Sequence, residues 1–278
     1  MESFSALIHV HFLNNVQGQP EYEQKLEVLK LITDAAKMVL DNFGVHFRIT
    51  GSTTSLLSSF NSDLNLCLVH PTDVLDIDFA RRIYPELVEV LGNRFEVTSK
   101  SLSNLHNLAF TARLADSSLL IPVVISHNIH CVHYSQLMAL YERVDDRLAP
   151  LCLFIKHWLL QTKHSNGSLL SINSYLMTSL LIHFLQCGVS PPVLPCLHEL
   201  YPMKLANDKI LELGPMAPFD PPLPARENDQ SLSTLLLGFF DYFSVFRFDE
   251  FFVSIRAGRP IRLSNNKLSL PPRRCEIV

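Results

Sequence analysis

Hydrophobic periodicity changes character once along this 278-residue chain, near Ser126, and the change restricts it to folds in which a sheet-bearing half precedes a helical half. In the first half, Val45 to Thr50, Leu64 to Val69, Leu108 to Leu114 and Leu119 to Ile125 are apolar, β-branched runs of strand length, and Phe95 to Thr98 is a further candidate. From Tyr22 to Phe43, Leu26, Leu29, Ile32, Ala36, Val39 and Phe43 recur at helical spacing between charged residues, and Gly44 is the expected stop. Phe79, Ile83, Leu87 and Leu91 form a second such stripe. Beyond Ser126 the segments 134–143, 148–161, 174–187 and 232–246 all have helical period or the apolar length of a buried helix. The expected class is α+β, a mixed sheet with helices followed by a mostly helical domain. The proline-rich stretch Gly214 to Pro224 reads as a surface loop within the second half.

Composition limits the partners. With 47% hydrophobic residues the chain can bury a sizeable core, and with 18% charged residues and a net charge of -4 it carries no excess that would draw the whole molecule onto a polyanion. Any nucleic-acid contact is therefore local, and DNA is not expected. The six cysteines are scattered without a CxxC pair, which favours a reducing compartment. Residues 1–16 lack the pattern of a secretory or mitochondrial signal. The most apolar run, Tyr175 to Val189, is interrupted by His183 and Gln186 and is shorter than the roughly 20 residues that span a bilayer. A cytoplasmic location without membrane contact is expected, with the nucleus left open.

Gly51-Ser52 followed by Ser62-Asp63-Leu64-Asn65 has the outline of a metal-dependent nucleotidyl-transfer site with a carboxylate missing. Positions 63 and 65 of a strand project from one face. Two carboxylates there, joined by a third from a neighbouring strand, hold paired Mg²⁺ ions that align a 3′-hydroxyl with a nucleoside triphosphate. Further segments follow in order: Asp146-Arg147-Leu148-Ala149-Pro150-Leu151 running into Lys156-His157-Trp158, Asn173-Ser174-Tyr175 running into Ile182 to Gln186, Pro191 to Pro202, and Leu235 to Tyr242 followed by Val253 to Arg256. Together they resemble the non-canonical cytoplasmic poly(A) polymerases and terminal uridylyltransferases, over about residues 20 to 270.

The resemblance implies a nucleotidyltransferase palm over 45–126 and a helical central, PAP-associated domain over 127–278. It also implies an N-terminal segment 1–44 whose long helix packs on the central domain. It places the second metal carboxylate at Asn65 and the third at Val123, which leaves Asp63 as a relic ligand. Leu56 stands where a glycine is expected, and the late acidic-Pro-Phe motif is replaced near Leu268 to Arg274. On the nucleotide side, Gly51 and Ser52 match phosphate-contacting residues, Lys156 a lysine that reaches the triphosphate, and Ser174-Tyr175 the pair that bonds and stacks on the base. In the family the cofactor is Mg²⁺ or Mn²⁺ with ATP or UTP; here weak or absent metal binding and retained nucleotide binding are expected.

Plainer readings stand beside these. Lys156 is also read as a snorkelling lysine and Tyr175 as core, while Ser-Asp-x-Asn alone is ordinary turn chemistry. His127, His130 and His133 invite zinc, but their spacing does not share a helical face, and local hydrogen bonding is the favoured role. Arg273-Arg274 reads as a solvated tail. The leading expectation is a catalytically impaired pseudoenzyme acting as a binding scaffold in RNA metabolism, with a protein partner and RNA as contacts. The alternatives are an active RNA 3′-end adenylyl- or uridylyltransferase using a reduced metal site, with Asp116 as a displaced acid, and a nucleotide-binding regulatory module.

Overall fold

A computed structural model describes residues 2–55, 57–72, 74–95, 107–113, 120–163, 174–206 and 219–263. The helix expected before Gly44 is α2, Gln19–Phe43. Its start is fixed by the Gly18 N–H donating to Glu21 Oε2 at 2.9 Å, with Pro20 in the first turn. Its end is Gly44, left-handed at φ 65°. The buried stripe is Val28, Ile32, Ala36, Val39 and Leu40, and Lys25 lies on the same stripe. This stripe packs with α3 (Ile77–Gly92) against a four-stranded sheet.

The sheet holds β1 (His46–Thr50), β2 (Leu64–Val69), β3 (Asn107–Arg113) and β4 (Leu120–Ser126) in the order β1-β2-β4-β3. β2 and β4 run parallel and the other pairs antiparallel. One face is wholly apolar: Leu64, Leu66, Leu68, Leu108, Phe110, Ala112, Ile121, Val123 and Ile125 are buried with the stripes of α2 and α3. An apolar sheet face needs such a cover, which is why α2 lies on it. The described residues confirm a mixed α/β half followed by a mostly helical one. The candidate strand over Phe95 to Thr98 falls, except for Phe95, outside the described residues.

The chain divides into two units, Val16–Ala139 and Met1–Asn15 with Leu140–Val278. This corrects the expected boundaries at 44 and 126. The long helix belongs with the sheet because its apolar stripe covers it. A shorter helix, α1 (Glu2–Asn15), groups with the helical unit instead. The second boundary falls inside α4 (His130–Glu142).

The helical unit contains α5 (Leu148–Lys163), α6 (Ser174–His183), α7 (Leu197–Leu200) and α8 (Leu232–Ser244). α6 continues into a π-turn over Phe184–Gly188. A hairpin of β5 (Phe251–Ser254) and β6 (Arg259–Arg262), not foreseen from the sequence, completes the described part. α1 packs on α5 and α8, with the Phe4 and Phe154 rings edge to face at 6.0 Å and Ser5 Oγ donating to Ser233 Oγ at 2.9 Å. Arg147 ties the loop before α8 to the start of α5. It chelates the Asp145 carboxylate through Nε and Nη2, both at 2.8 Å, and donates from Nη1 to Asn228 Oδ1 and to the Gln230 carbonyl.

Candidate functional site

The β1–β2 connection carries the first residues singled out by sequence. β1 ends at Thr50, and Gly51–Thr54 turns as one 3₁₀ segment. Gly51 has φ 73°, a conformation that favours glycine, and a Cβ added there would lie 3.0 Å from Asn65 Nδ2. The Gly51 N–H donates to Ser135 Oγ at 2.6 Å, and Ser135 donates in turn to the Cys131 carbonyl, so α4 holds the turn from beneath. Ser52 lies half-buried at the second position of this turn, and its carbonyl accepts from Ser55 Oγ at 3.2 Å.

Asp63 is exposed, immediately before β2. Burial of its surroundings pushes its carboxyl pKa up, and the Lys25 ammonium pulls it back down. Asn65, inside the strand, pairs across the sheet with Thr50 on one side and Val124 on the other. Residues paired across a sheet share a face. Val123 pairs instead with Leu64 and Phe110, and all three are buried in the core at 0%, 0% and 1% exposure.

This corrects the expected cluster of Asp63, Asn65 and Val123: Val123 points to the opposite side of the sheet. The β4 residue beside Asn65 is Val124, and the next one on that face is Pro122. Neither offers a metal an oxygen from its side chain. Near Asp63 this face offers, within the described residues, one carboxylate beside the neutral oxygens of Asn65, Thr50 and Thr111, and a single anionic ligand does not fit a pair of divalent ions. Among the described residues no group of three or more His, Cys, Asp and Glu is placed to hold a metal ion. Leu56 and Asp116 lie outside the described residues, as do Arg273 and Arg274 and the segment Leu268 to Arg274.

Lys156, Ser174 and Tyr175 belong to the helical unit. Lys156 lies half-buried on α5. Ser174 is exposed at the start of α6, and Tyr175 follows it half-buried. The histidine run is dispersed: His127 Nδ1 meets the Tyr84 hydroxyl at 3.0 Å, while the His130 and His133 rings sit edge to face at 5.6 Å.

Two residues at the Gly51–Asp63 connection escaped the sequence reading. Ser135 is one. The other is Lys25, 2% exposed, whose ammonium donates to Gln17 Oε1 at 2.7 Å and Ser62 Oγ at 2.8 Å. Burial lowers its pKa to about 8, with the Asp63 and Glu21 carboxylates acting in the opposite direction. Its place on the α2 stripe, three residues before Val28 and seven before Ile32, was the available signal.

A mixed sheet covered on one face by two helices, with a Gly-Ser turn leading to Ser-Asp at the start of the next strand, defines a nucleotidyltransferase palm. The comparisons with known proteins agree. A family model described as Cid1 family poly A polymerase matches residues 231–275. Poly(A) RNA polymerase gld-2 homolog A of Drosophila melanogaster is 32% identical over 257 residues, covering 89% of this chain and 18% of that protein. Poly(A) RNA polymerase gld-2 of Caenorhabditis elegans is 27% identical over 264 residues, covering 90% of this chain and 23% of that protein. Among solved structures, the GLD-2/RNP-8 complex superposes with a TM-score of 0.77 at 24% identity, covering 95% of this chain and 82% of that one. Cid1 in complex with the UTP analog UMPNPP gives 0.73 at 21%, covering 94% and 79%. The chain belongs to the non-canonical poly(A)/poly(U) polymerase family. It spans less than a quarter of the length of each of these two polymerases.

Proposed function

We propose that this chain is a terminal nucleotidyltransferase homologue that binds a nucleoside triphosphate and has lost the chemical step, serving as a binding scaffold in RNA metabolism. The observation that carries the reading is the face around Asp63, where Asn65, Val124 and Pro122 leave a single carboxylate among the described residues. Catalysis by paired metals needs several anionic oxygens, and a loss of even ~4 kcal/mol of transition-state stabilisation slows a reaction roughly a thousandfold. Binding has gentler requirements. The family resemblance assigns phosphate contacts to Ser52 and Lys156 and base contacts to Ser174 and Tyr175, and contacts of these kinds need no metal.

The GLD-2/RNP-8 structure is of a complex, which supports a protein partner for this chain as well, and the family supports RNA as a ligand. Among the described residues no helix is long and apolar enough to cross a membrane. Calorimetric titration of ATP and of UTP in EDTA tests the binding half of the reading. Weak binding that Mg²⁺ hardly changes, and that Lys156→Ala reduces, is expected. Absence of any triphosphate binding would overturn it, and unchanged affinity in Lys156→Ala would remove Lys156 from the site.

A further inference from the structure

Lys25 is an expensive residue to keep where it is. Its stripe neighbours on α2 are apolar, and an ammonium at 2% exposure loses its hydration while gaining two neutral acceptors. A methionine would fill the same space without that cost. What the charge does is visible in the hydrogen bonds that radiate from it.

Its two acceptors each hold a different turn. Ser62 Oγ, which directly precedes Asp63, lies 2.8 Å from the ammonium and 2.5 Å from Ser58 Oγ. Gln17, the other acceptor, donates from Nε2 to the Thr53 carbonyl at 3.2 Å, inside the Gly51–Thr54 turn, and its N–H donates to the Ser58 carbonyl at 2.9 Å. Thr53 closes the circuit, its hydroxyl donating to the Asp63 carbonyl at 3.4 Å. Thr53 and Ser58 are 2% and 0% exposed, so these bonds are shielded from water. The charged groups that act on Lys25 are Asp63, at the start of β2, and Glu21 on its own helix.

We propose that Lys25 is a positioning residue whose ammonium locks the Ser62–Asp63 turn to the Gly51–Thr54 turn, so that both are ordered without a divalent ion. The proposal rests on the reading of these turns as the phosphate side of a nucleotide site. It gives that site a fixed internal cation close to the carboxylate that remains.

Hydrogen–deuterium exchange of peptides spanning residues 51–64, in EDTA, tests it in the wild type, Lys25→Met and Lys25→Arg, with α3 and β4 peptides as the check on folding. The wild-type segment should be protected and gain nothing from Mg²⁺. Lys25→Met should raise its exchange by about tenfold or more, while Lys25→Arg, which keeps charge and donors, retains protection. A packing role predicts the opposite order, because methionine matches the buried stem and arginine overfills the site. Wild-type protection in Lys25→Met, deprotection in Lys25→Arg, or a wild-type segment that orders only with Mg²⁺ would overturn the proposal. Should Lys25→Met fail to fold, Ser62→Ala takes its place: it removes one acceptor and must also deprotect 51–64, and unchanged protection there would be equally fatal. ATP titration of the same samples separates the two claims. An ordered segment that binds no ATP removes the nucleotide reading and leaves the placement by Lys25 standing, whereas ATP binding to an unprotected wild-type segment removes Lys25 from its role.

Discussion

Val123 and Val124 differ by one step along β4 and by the full thickness of the sheet. That step decides what a restored metal site would require. Asn65→Asp with Val124→Asp places both new carboxylates on the side of Asp63, and this double variant should fold and show a Mn²⁺-dependent rise in melting temperature. Asn65→Asp with Val123→Asp puts a charge among Leu64 and Phe110, costing several kcal/mol, on the order of 3 or more, and should unfold or aggregate. Thermal-shift titrations of the two proteins check this, and a metal-dependent rise confined to the Val123 variant would contradict the register. Gly51 offers a second test. With φ 73° and Asn65 Nδ2 already 3.0 Å from the added methyl, Gly51→Ala should lose roughly 1–3 kcal/mol in urea denaturation, and an unchanged midpoint would contradict the turn. The spacing of Gly51, Asp63 and Asn65 was legible because a loop of short polar residues separates two clear strands. The phase of β4 was not, because Leu120 to Ile125 is apolar on both faces and gives no alternation from which to choose a side. Lys25 was hidden by its charge, although its position on the stripe matched the core.

Helix α2 shows how far a single element could be read. Its existence, its stop at Gly44 and the Ile32, Ala36 and Val39 part of its stripe follow from the sequence, but Leu26 is exposed while Lys25, Val28 and Leu40 are buried, and the surface covered was not legible, since an apolar stripe carries no address. Helix α1 was missed for a related reason: Leu7, Val10 and Leu13 are exposed while Ile8 is buried, so its apolar residues mark no single face. Arg147 makes a prediction at this scale. Burial would raise the Asp145 pKa, yet the hydrogen bonds and charge of Arg147 hold it below the usual carboxylate range. Arg147→Met leaves the Asp145 carboxylate, at 5% exposure, with Arg226 Nε at 3.6 Å but without its bidentate partner, and it releases Asn228 and Gln230, so a loss on the order of 3 kcal/mol is expected from denaturant unfolding. Asp145→Asn added to that variant should recover part of it. A single Arg147→Met with wild-type stability would show that the tether is dispensable.

The order of a sheet-bearing half and a helical half was legible in the sequence from the change in period, and the boundaries were not, because α2 and α4 do not begin or end where the units do. Acid sensitivity of the folded state follows from two histidines in the helical unit. Burial lowers His183 to about 4, partly offset by the Ser254 backbone, and burial together with Arg256 lowers His198 to about 4. Between these values and the ordinary 6.5 the unfolded chain binds more protons than the folded one. Stability is therefore full above pH 6.5 and falls as pH drops toward 4, with His183 alone accounting for about 3 kcal/mol once it is protonated in both states. Urea midpoints at pH 7 and pH 4.5 check this, and His183→Gln should shrink the difference while leaving the share that His198 contributes. The central claim is that this chain keeps a nucleotide site and lacks the step of bond formation. Incubation of the purified, unmodified protein with a labelled RNA oligonucleotide and each nucleoside triphosphate in turn, in Mg²⁺ and in Mn²⁺, tests it most directly. The account predicts that the RNA keeps its length under every condition; a ladder of extended products in either metal would contradict it.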